Sequence, residues 1–182
     1  GNVLFDFGEH LDFLFNAVFS SDRKMALSCS MDMTAKLWNI ESGKIISNLK
    51  GHRDWVQNAY FINDDSNILT EAGDSSVILW DLSGNIISQF NLDKGWVNSS
   101  IVNEKSEILA IGYSDGFIGV WDLQTGNLKY QIDNNGCSVN DIVFSDNSKY
   151  IYSVDKKGKL SKWRVSDGHL VSSVVGHSSA IQ

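Results

Sequence analysis

Four short segments of the chain read TAKLWNI (residues 34–40), VILWDL (77–82), IGVWDL (118–123) and LSKWRV (160–165). Each places an apolar run directly before a tryptophan, and Trp38, Trp80, Trp121 and Trp163 recur at intervals of 42, 41 and 42 residues. An internal repeat of this length, with an apolar strand in each unit, is typical of a radial β-array in which every repeat supplies one four-stranded blade. The sequence therefore predicts an all-β fold.

The first repeat shows the strand plan that the later repeats follow. Residues 13–20, 24–30, 34–40 and 44–49 each read as a strand, and polar turns separate them. The third strands of the later repeats are predicted to begin near Ser76, Phe117 and Lys159. Their outer strands follow turns that hold Gly84, Gly126 and Gly168. Residues 2–7 predict one further outer strand.

Composition excludes several classes of protein. A net charge of −7 disfavours a nucleic-acid partner, because proteins that bind nucleic acid usually present a basic face to the phosphates. No apolar run is long enough to span a bilayer, and no signal peptide is present, so we expect neither membrane insertion nor export. The two cysteines, Cys29 and Cys137, suggest no disulfide framework, which favours a reducing, cytoplasmic location.

The repeat frame resembles the WD-repeat family of β-propellers, whose units run from a Gly-His through a turn Asp to a Trp-Asp. Gly51-His52, Asp74 and Trp80-Asp81 carry this pattern in one unit. His10, Asp32 and Trp38-Asn39 carry it in the unit before. The resemblance implies two buried hydrogen-bonded tetrads: His10, Ser28, Asp32 and Trp38, and His52, Thr70, Asp74 and Trp80.

The resemblance also implies how the whole chain is organised. The repeats are expected at about residues 8–50, 51–91, 92–132 and 133–175, with 176–182 opening the next repeat. Four four-stranded antiparallel blades form a partial β-propeller, whereas a closed ring of seven or eight blades needs roughly 290 to 340 residues. We therefore expect a segment of a larger protein, whose ring is completed by further residues or by another copy.

The last two repeats depart from the pattern. Asp93 and Asn135 stand in place of the His, Ile111 in place of the strand hydroxyl of the third repeat, and Lys157 in place of the turn Asp of the fourth. Their tetrads are incomplete. We expect these blades to rely more on apolar contacts, through Ile101, Val102, Val143 and Phe144.

A His, a hydroxyl and an Asp also suggest a catalytic triad. The set occurs in two successive repeats at one spacing and with a Trp each time, which favours architecture over two active sites. We therefore predict no catalytic residue. No metal or cofactor is predicted either, because His10, His52, His169, His177 and the cysteines form no close-spaced ligand pairs.

Surface positions point to a partner. In WD-repeat propellers, the residues three and five after the His and the residue before the turn Asp line the rim of the central channel. By register, the rim positions are Phe13, Phe15, Met31, Trp55, Gln57, Gly73, Trp96, Asn98, Ser114, Ser138, Asn140 and Lys156. Aromatic side chains dominate binding hot spots, so Trp55 and Trp96 are the main candidates, supported by Phe13, Phe15, Gln57, Asn98 and Lys156. The alternative is that some of these side chains pack between blades.

A second local feature is a basic run in this acidic chain. Its members are Lys156, Lys157, Lys159, Lys162 and Arg164. The run could bind an acidic peptide or a phosphate group. The alternative is that it forms a solvated turn and an outer strand face.

The function that this pattern favours is a non-catalytic scaffold or sensor domain that binds a peptide or protein at the rim. Two alternatives remain open. The propeller regulates an enzyme whose catalytic domain lies outside this segment, or it is a coat or filament subunit that makes contacts through blade faces and outer strands.

Overall fold

The computed structural model describes residues 9–176, which fold into sixteen β-strands and no helix. The strands form four antiparallel sheets of four, each with its strands in chain order, and we call these sheets blades 1 to 4. The predicted all-β fold of four four-stranded antiparallel blades is confirmed. Within that part of the chain, no helix is long and apolar enough to cross a membrane.

The strands of the first two blades match the predicted plan. Blade 1 consists of β1 (Leu14–Phe19), β2 (Met25–Ser30), β3 (Thr34–Asn39) and β4 (Ile45–Lys50). Blade 2 consists of β5 (Val56–Ile62), β6 (Asn67–Ala72), β7 (Ser76–Asp81) and β8 (Ile86–Asn91).

The last two blades follow the same order. Blade 3 consists of β9 (Val97–Asn103), β10 (Ile108–Tyr113), β11 (Phe117–Asp122) and β12 (Leu128–Asp133). Blade 4 consists of β13 (Val139–Phe144), β14 (Tyr150–Asp155), β15 (Lys159–Arg164) and β16 (Leu170–Val175). The third strands begin at the predicted residues. The strand predicted over residues 2–7 lies outside the described residues, as does most of the segment predicted to open the next repeat.

Two features of the turns and strands explain this regularity. Gly84, Gly126 and Gly168 have φ angles of 88°, 72° and 72° in the turns before the outer strands, a region that glycine enters without steric cost. The four repeated tryptophans lie on the third strands and are at most 4% exposed.

The strand pairing shifts at repeated places. Beside three of the tryptophans, the register between the third and the outer strand slips, between Leu37 and Trp38, Val120 and Trp121, and Lys162 and Trp163. Each shift is a β-bulge or irregularity, and bulges bend a strand and increase its twist.

The chain divides into two compact units, one ending at Gln89 and the other beginning at Phe90. The core of the first unit lies between blades 1 and 2. Leu27, Leu37 and Leu49 of blade 1 pack there with Val56, Ile68 and Trp80 of blade 2. These side chains are fully buried, and each contributes about 1.5 to 3 kcal/mol relative to exposure.

The core of the second unit lies between blades 3 and 4. It includes Ile118, Val120 and Ile132 from blade 3 with Ile142 and Trp163 from blade 4.

Ile101 and Phe144 pack against this core, as expected for these blades, and Val102 is half-buried. The expectation for Val143 is wrong, because its side chain is 50% exposed. Neighbouring residues of a strand face opposite sides, so the buried position of Ile142 turns Val143 outward.

Candidate functional site

The structure brings His10, Ser28, Asp32 and Trp38 together in blade 1. His10 Nδ1 lies 2.8 Å from Asp32 Oδ2, and His10 Nε2 lies 2.8 Å from Ser28 Oγ. Trp38 Nε1 donates to the same Ser28 Oγ over 2.8 Å. Because an indole can only donate, the Ser28 hydroxyl accepts from Trp38. An ionised carboxylate can only accept, so His10 Nδ1 donates to Asp32.

Blade 2 holds a second network of the same form. His52 Nδ1 lies 3.1 Å from Asp74 Oδ2, and His52 Nε2 lies 2.7 Å from Thr70 Oγ1. Trp80 Nε1 donates to Thr70 Oγ1 over 2.8 Å. The side chain of His52 is 1% exposed and that of Asp74 10% exposed, so the network satisfies polar groups that water scarcely reaches.

The two aspartates are held in their charged form. Burial alone would raise the pKa of Asp32, but hydrogen bonds from the Thr34 hydroxyl, the Leu11 backbone N–H and His10 outweigh it and lower this pKa to about 2. Burial likewise opposes ionisation of Asp74, and hydrogen bonds from His52, Ser76 and the backbone N–H of residue 53 hold its pKa well below its usual value.

An aromatic surface lies at the start of β1 and β5, the first or inner strands of the two blades in the first unit. Phe13 is 76% exposed, and Phe15 and Trp55 are each 45% exposed. The Phe15 and Trp55 ring centroids lie 6.3 Å apart at a tilt of 39°, so these two rings form a pair that joins blades 1 and 2. Gln57 follows on β5, half-buried, and its carbonyl lies 3.4 Å from the Cys29 thiol.

In the second unit the predicted rim residues divide into two kinds. Trp96, directly before β9, is 65% exposed, and Lys156 is also exposed. Asn98 is exposed as well but also makes an internal contact, because its amide nitrogen donates to Ser138 Oγ over 3.1 Å and to the Val139 carbonyl over 2.8 Å. Asn98 therefore ties β9 of blade 3 to the start of β13 in blade 4.

Residues 1–39 and 43–81 match the family described as WD domain, G-beta repeat. These two matches cover the segments that contain both His-Asp-Trp networks. The first two repeats of the chain therefore match the WD-repeat family.

Curated relatives match the chain over most of its length. The Periodic tryptophan protein 2 homolog of Neurospora crassa is 23% identical over 93% of the chain and 21% of its own length. Nuclear distribution protein nudF of Aspergillus niger is 27% identical over 92% of the chain and 38% of its own. Pre-mRNA-processing factor 17 of Mus musculus is 29% identical over 80% of the chain and 26% of its own. The chain therefore spans about a fifth to two fifths of these relatives.

Blade 3 replaces the WD-repeat network with apolar packing. Trp121 lies against Gly119, where an added Cβ would come within 2.2 Å of its ring. Phe90 meets the same indole edge-on, with the centroids 6.1 Å apart. Tyr113, fully buried, lies beside the Leu92 backbone, and burial raises its phenol pKa far above the usual value. Hydrophobic contacts thus surround Trp121 in a blade that has no His at the repeat position of His10 and His52.

Blade 4 keeps part of the network and rebuilds the rest. Trp163 Nε1 donates to Ser153 Oγ over 2.8 Å. Asn135, at the His position by spacing, is exposed with a φ of 54°, and the neighbouring Asn134 turns inward. Asn134 Nδ2 lies 3.3 Å from Asp155 Oδ2.

Asp155 also accepts the backbone N–H of Lys157 over 2.9 Å. Lys157 stands at the turn Asp position, so the carboxylate that caps this turn comes from a residue two positions earlier in the chain. Sequence reasoning missed Asn134 and Asp155. The doubled Asn at 134–135 and the Asp that ends β14 were the available signals.

The networks of blades 1 and 2 are poorly suited to catalysis. A nucleophile must reach its substrate, yet the Ser28 residue is 8% exposed and the Thr70 residue is fully buried, and each hydroxyl oxygen already accepts an indole N–H. Among residues 9–176, no three His, Cys, Asp or Glu side chains form a group that would hold a metal ion.

Proposed function

We propose that this chain is a non-catalytic interaction platform that binds a peptide or protein through aromatic side chains exposed at the starts of its inner strands. Trp55 and Trp96 act as anchors, and Phe13 and Phe15 enlarge the apolar contact. Gln57, Asn98 and Lys156 supply polar contacts around them, with Lys156 facing an acidic group.

The exposed Phe15 and Trp55 pair carries this proposal. Large aromatic side chains bury much area on binding at a low entropy cost, and they are enriched in hot spots. A monomeric protein without a partner gains nothing from placing Phe13, Phe15 and Trp55 in solvent when its core already holds large apolar side chains. Trp96 occupies the corresponding repeat position in blade 3 and is more exposed than Trp55.

The comparisons agree with this proposal in kind. The names of the three relatives described above refer to pre-mRNA processing, to nuclear distribution and to a periodic tryptophan protein. We further propose an intracellular, cytoplasmic location, because Cys29 and Cys137 are both free thiols in the structure.

A pull-down from the source cell tests the proposal by comparing wild-type protein with the Trp55→Ala, Trp96→Ala double variant. Truncating a buried aromatic anchor typically costs about 2 kcal/mol or more, so we expect the affinity for the main partner to fall at least about thirtyfold. The urea midpoint should change little, since both side chains are exposed.

The matched control removes two exposed apolar side chains elsewhere. Ile86 and Ile87, on the outer strand of blade 2, are each 49% exposed, and the Ile86→Ala, Ile87→Ala variant should keep its partners. An unchanged list of partners with unchanged affinities for the tryptophan variant contradicts the proposal. It would shift support to contacts through blade faces or to an attached domain.

A further inference from the structure

A cavity of about 740 Å³ lies in the second unit, between the outer strand of blade 3 and two turns of blade 4. Lys129 and Tyr130 of β12 form one wall. The other wall comes from Lys149 and Tyr150, where β14 begins, and from Arg164, where β15 ends. Within blade 4 this is the end of the strands opposite Lys156. The cavity is therefore separate from the proposed rim positions of this unit.

Three cationic groups line the cavity, and two of them are held by carboxylates. Lys129 Nζ lies 3.1 Å from Asp122 Oδ2, and one guanidinium nitrogen of Arg164 lies 2.7 Å from Asp167 Oδ2. Each pairing uses only part of the donor set, because an ammonium has three N–H groups and a guanidinium has five. The aspartates fix the cations in place and leave donors free for a ligand.

Lys149 differs from these two cations. In the described part of the chain it forms no ion pair with a carboxylate, and it lies exposed in the turn between β13 and β14. The three cations and two aspartates leave one net positive charge at the cavity, although the whole chain carries −7. This local excess favours an anionic ligand.

The two tyrosines give the cavity rigid apolar walls. The Tyr130 hydroxyl donates to the Val165 carbonyl, and burial together with nearby Asp167 raises its pKa to about 12, which keeps the proton in place. Lys162 Nζ lies 3.9 Å from the centroid of the Tyr150 ring, a distance at which cation–π attraction orients both groups.

We propose that this cavity binds a short acidic peptide segment of a partner protein. The side-chain carboxylates of the peptide pair with Lys149, Lys129 and Arg164. Its backbone lies against Tyr130 and Tyr150. A single small anion would leave most of the volume empty, whereas ligand pockets of about 300 to 1,000 Å³ enclose a drug-sized molecule, a size that a short peptide reaches. A nucleic acid would bring its many phosphates against the net negative charge of the chain. This second site goes beyond the platform role proposed for the aromatic side chains.

Fluorescence anisotropy on the full chain tests the proposal with a labelled octapeptide of alternating glutamate and glycine. We expect wild-type protein to bind it, and Lys149→Gln to weaken the binding about fivefold, since a charge-assisted contact is lost. Adding Lys129→Gln should weaken it further. Lys44→Gln, an equal charge change at an exposed position in the first unit, should have no effect, and a glutamine version of the peptide should not bind.

The remaining variants and a competition experiment distinguish this site from other binding sites on the chain. Binding unchanged in the Trp55→Ala, Trp96→Ala variant supports a site independent of the proposed rim, whatever the result of the pull-down. Three outcomes would overturn the proposal: no binding by the wild type, equal weakening by Lys44→Gln, or weakening by Lys156→Gln in place of Lys149→Gln. Displacement of the peptide by equimolar inorganic phosphate would also overturn it, because the site would then recognise an ion and not a peptide.

Discussion

The substitution Asp32→Asn tests the blade 1 network most directly. Asp32 Oδ2 accepts from His10 Nδ1 over 2.8 Å and from the Leu11 backbone N–H over 3.0 Å. Its other oxygen accepts from the Thr34 backbone N–H over 3.0 Å and from the Thr34 hydroxyl over 2.6 Å. An asparagine keeps the shape of the side chain, removes the charge and turns one acceptor into a donor.

The size of the effect follows from the pKa of Asp32. Folding lowers this pKa from 3.8 to about 2, and each pKa unit corresponds to about 1.4 kcal/mol, so ionised Asp32 contributes about 2 kcal/mol at pH 7. The side chain is only 8% exposed, so solvent screens this contribution little. We expect Asp32→Asn to lower the free energy of unfolding by at least this amount.

The sign of the pH dependence is fixed by the direction of the shift. A carboxyl whose pKa is depressed on folding stabilises the protein above its unfolded pKa, and this stabilisation is lost as the pH falls towards the folded value. At pH 3 about half of it remains. The difference between wild type and Asp32→Asn should therefore shrink by about 1 kcal/mol between pH 7 and pH 3.

Urea unfolding followed by tryptophan fluorescence measures both quantities, and Asp115→Asn is the matched control. Asp115 holds the same repeat position in blade 3, where no His is present, and its buried Oδ1 has no hydrogen-bond partner among the described residues. We expect this control to cause no loss of stability, because the substitution removes no hydrogen bond from Oδ1. Equal losses for the two variants, or a loss at Asp32 that does not vary with pH, would refute the reasoning.

Two further predictions concern the blade interiors. His52→Ala should lower the free energy of unfolding by about 1 to 3 kcal/mol, because it leaves buried partners unsatisfied. Asp93→Ala, at the same repeat position, should lower it less. Equal losses in urea unfolding would count against the assigned network. Gly119→Ala should cost about 1 to 3 kcal/mol, because the new methyl group overlaps the Trp121 ring. A wild-type urea midpoint and an unchanged emission maximum for Gly119→Ala would show that the indole is not held as described.

The strands were predictable because their signal repeats. Apolar runs before Trp38, Trp80, Trp121 and Trp163 align at nearly constant spacing, so the four repeats support one another and the turns fall between them. The exception, Val143, shows the limit of this reasoning. Composition marks a strand as apolar, but the side that faces the core depends on the local register.

The contacts inside blades 3 and 4 were harder to predict from the sequence. A one-residue shift places Asn134 inside in place of Asn135, and no spacing rule anticipates it. The role of Asn98 depends on the neighbouring strand, which lies about forty residues away in sequence. The cavity beside Tyr130 joins Lys129, Lys149 and Arg164, which approach one another only once blades 3 and 4 pack.

The register shift beside the tryptophans has a consequence for self-association. An outer strand leaves one row of backbone N–H and C=O groups unpaired, and such a row can template the addition of a strand from another molecule. In β4, β12 and β16 the bulge twists that row. An incoming straight strand would therefore pair over only a few residues before its N–H and C=O groups no longer faced those of the outer strand. The irregularity beside the indole would thus protect the chain against fibrous aggregation, and straightening any one of these bulges would remove that protection at one edge.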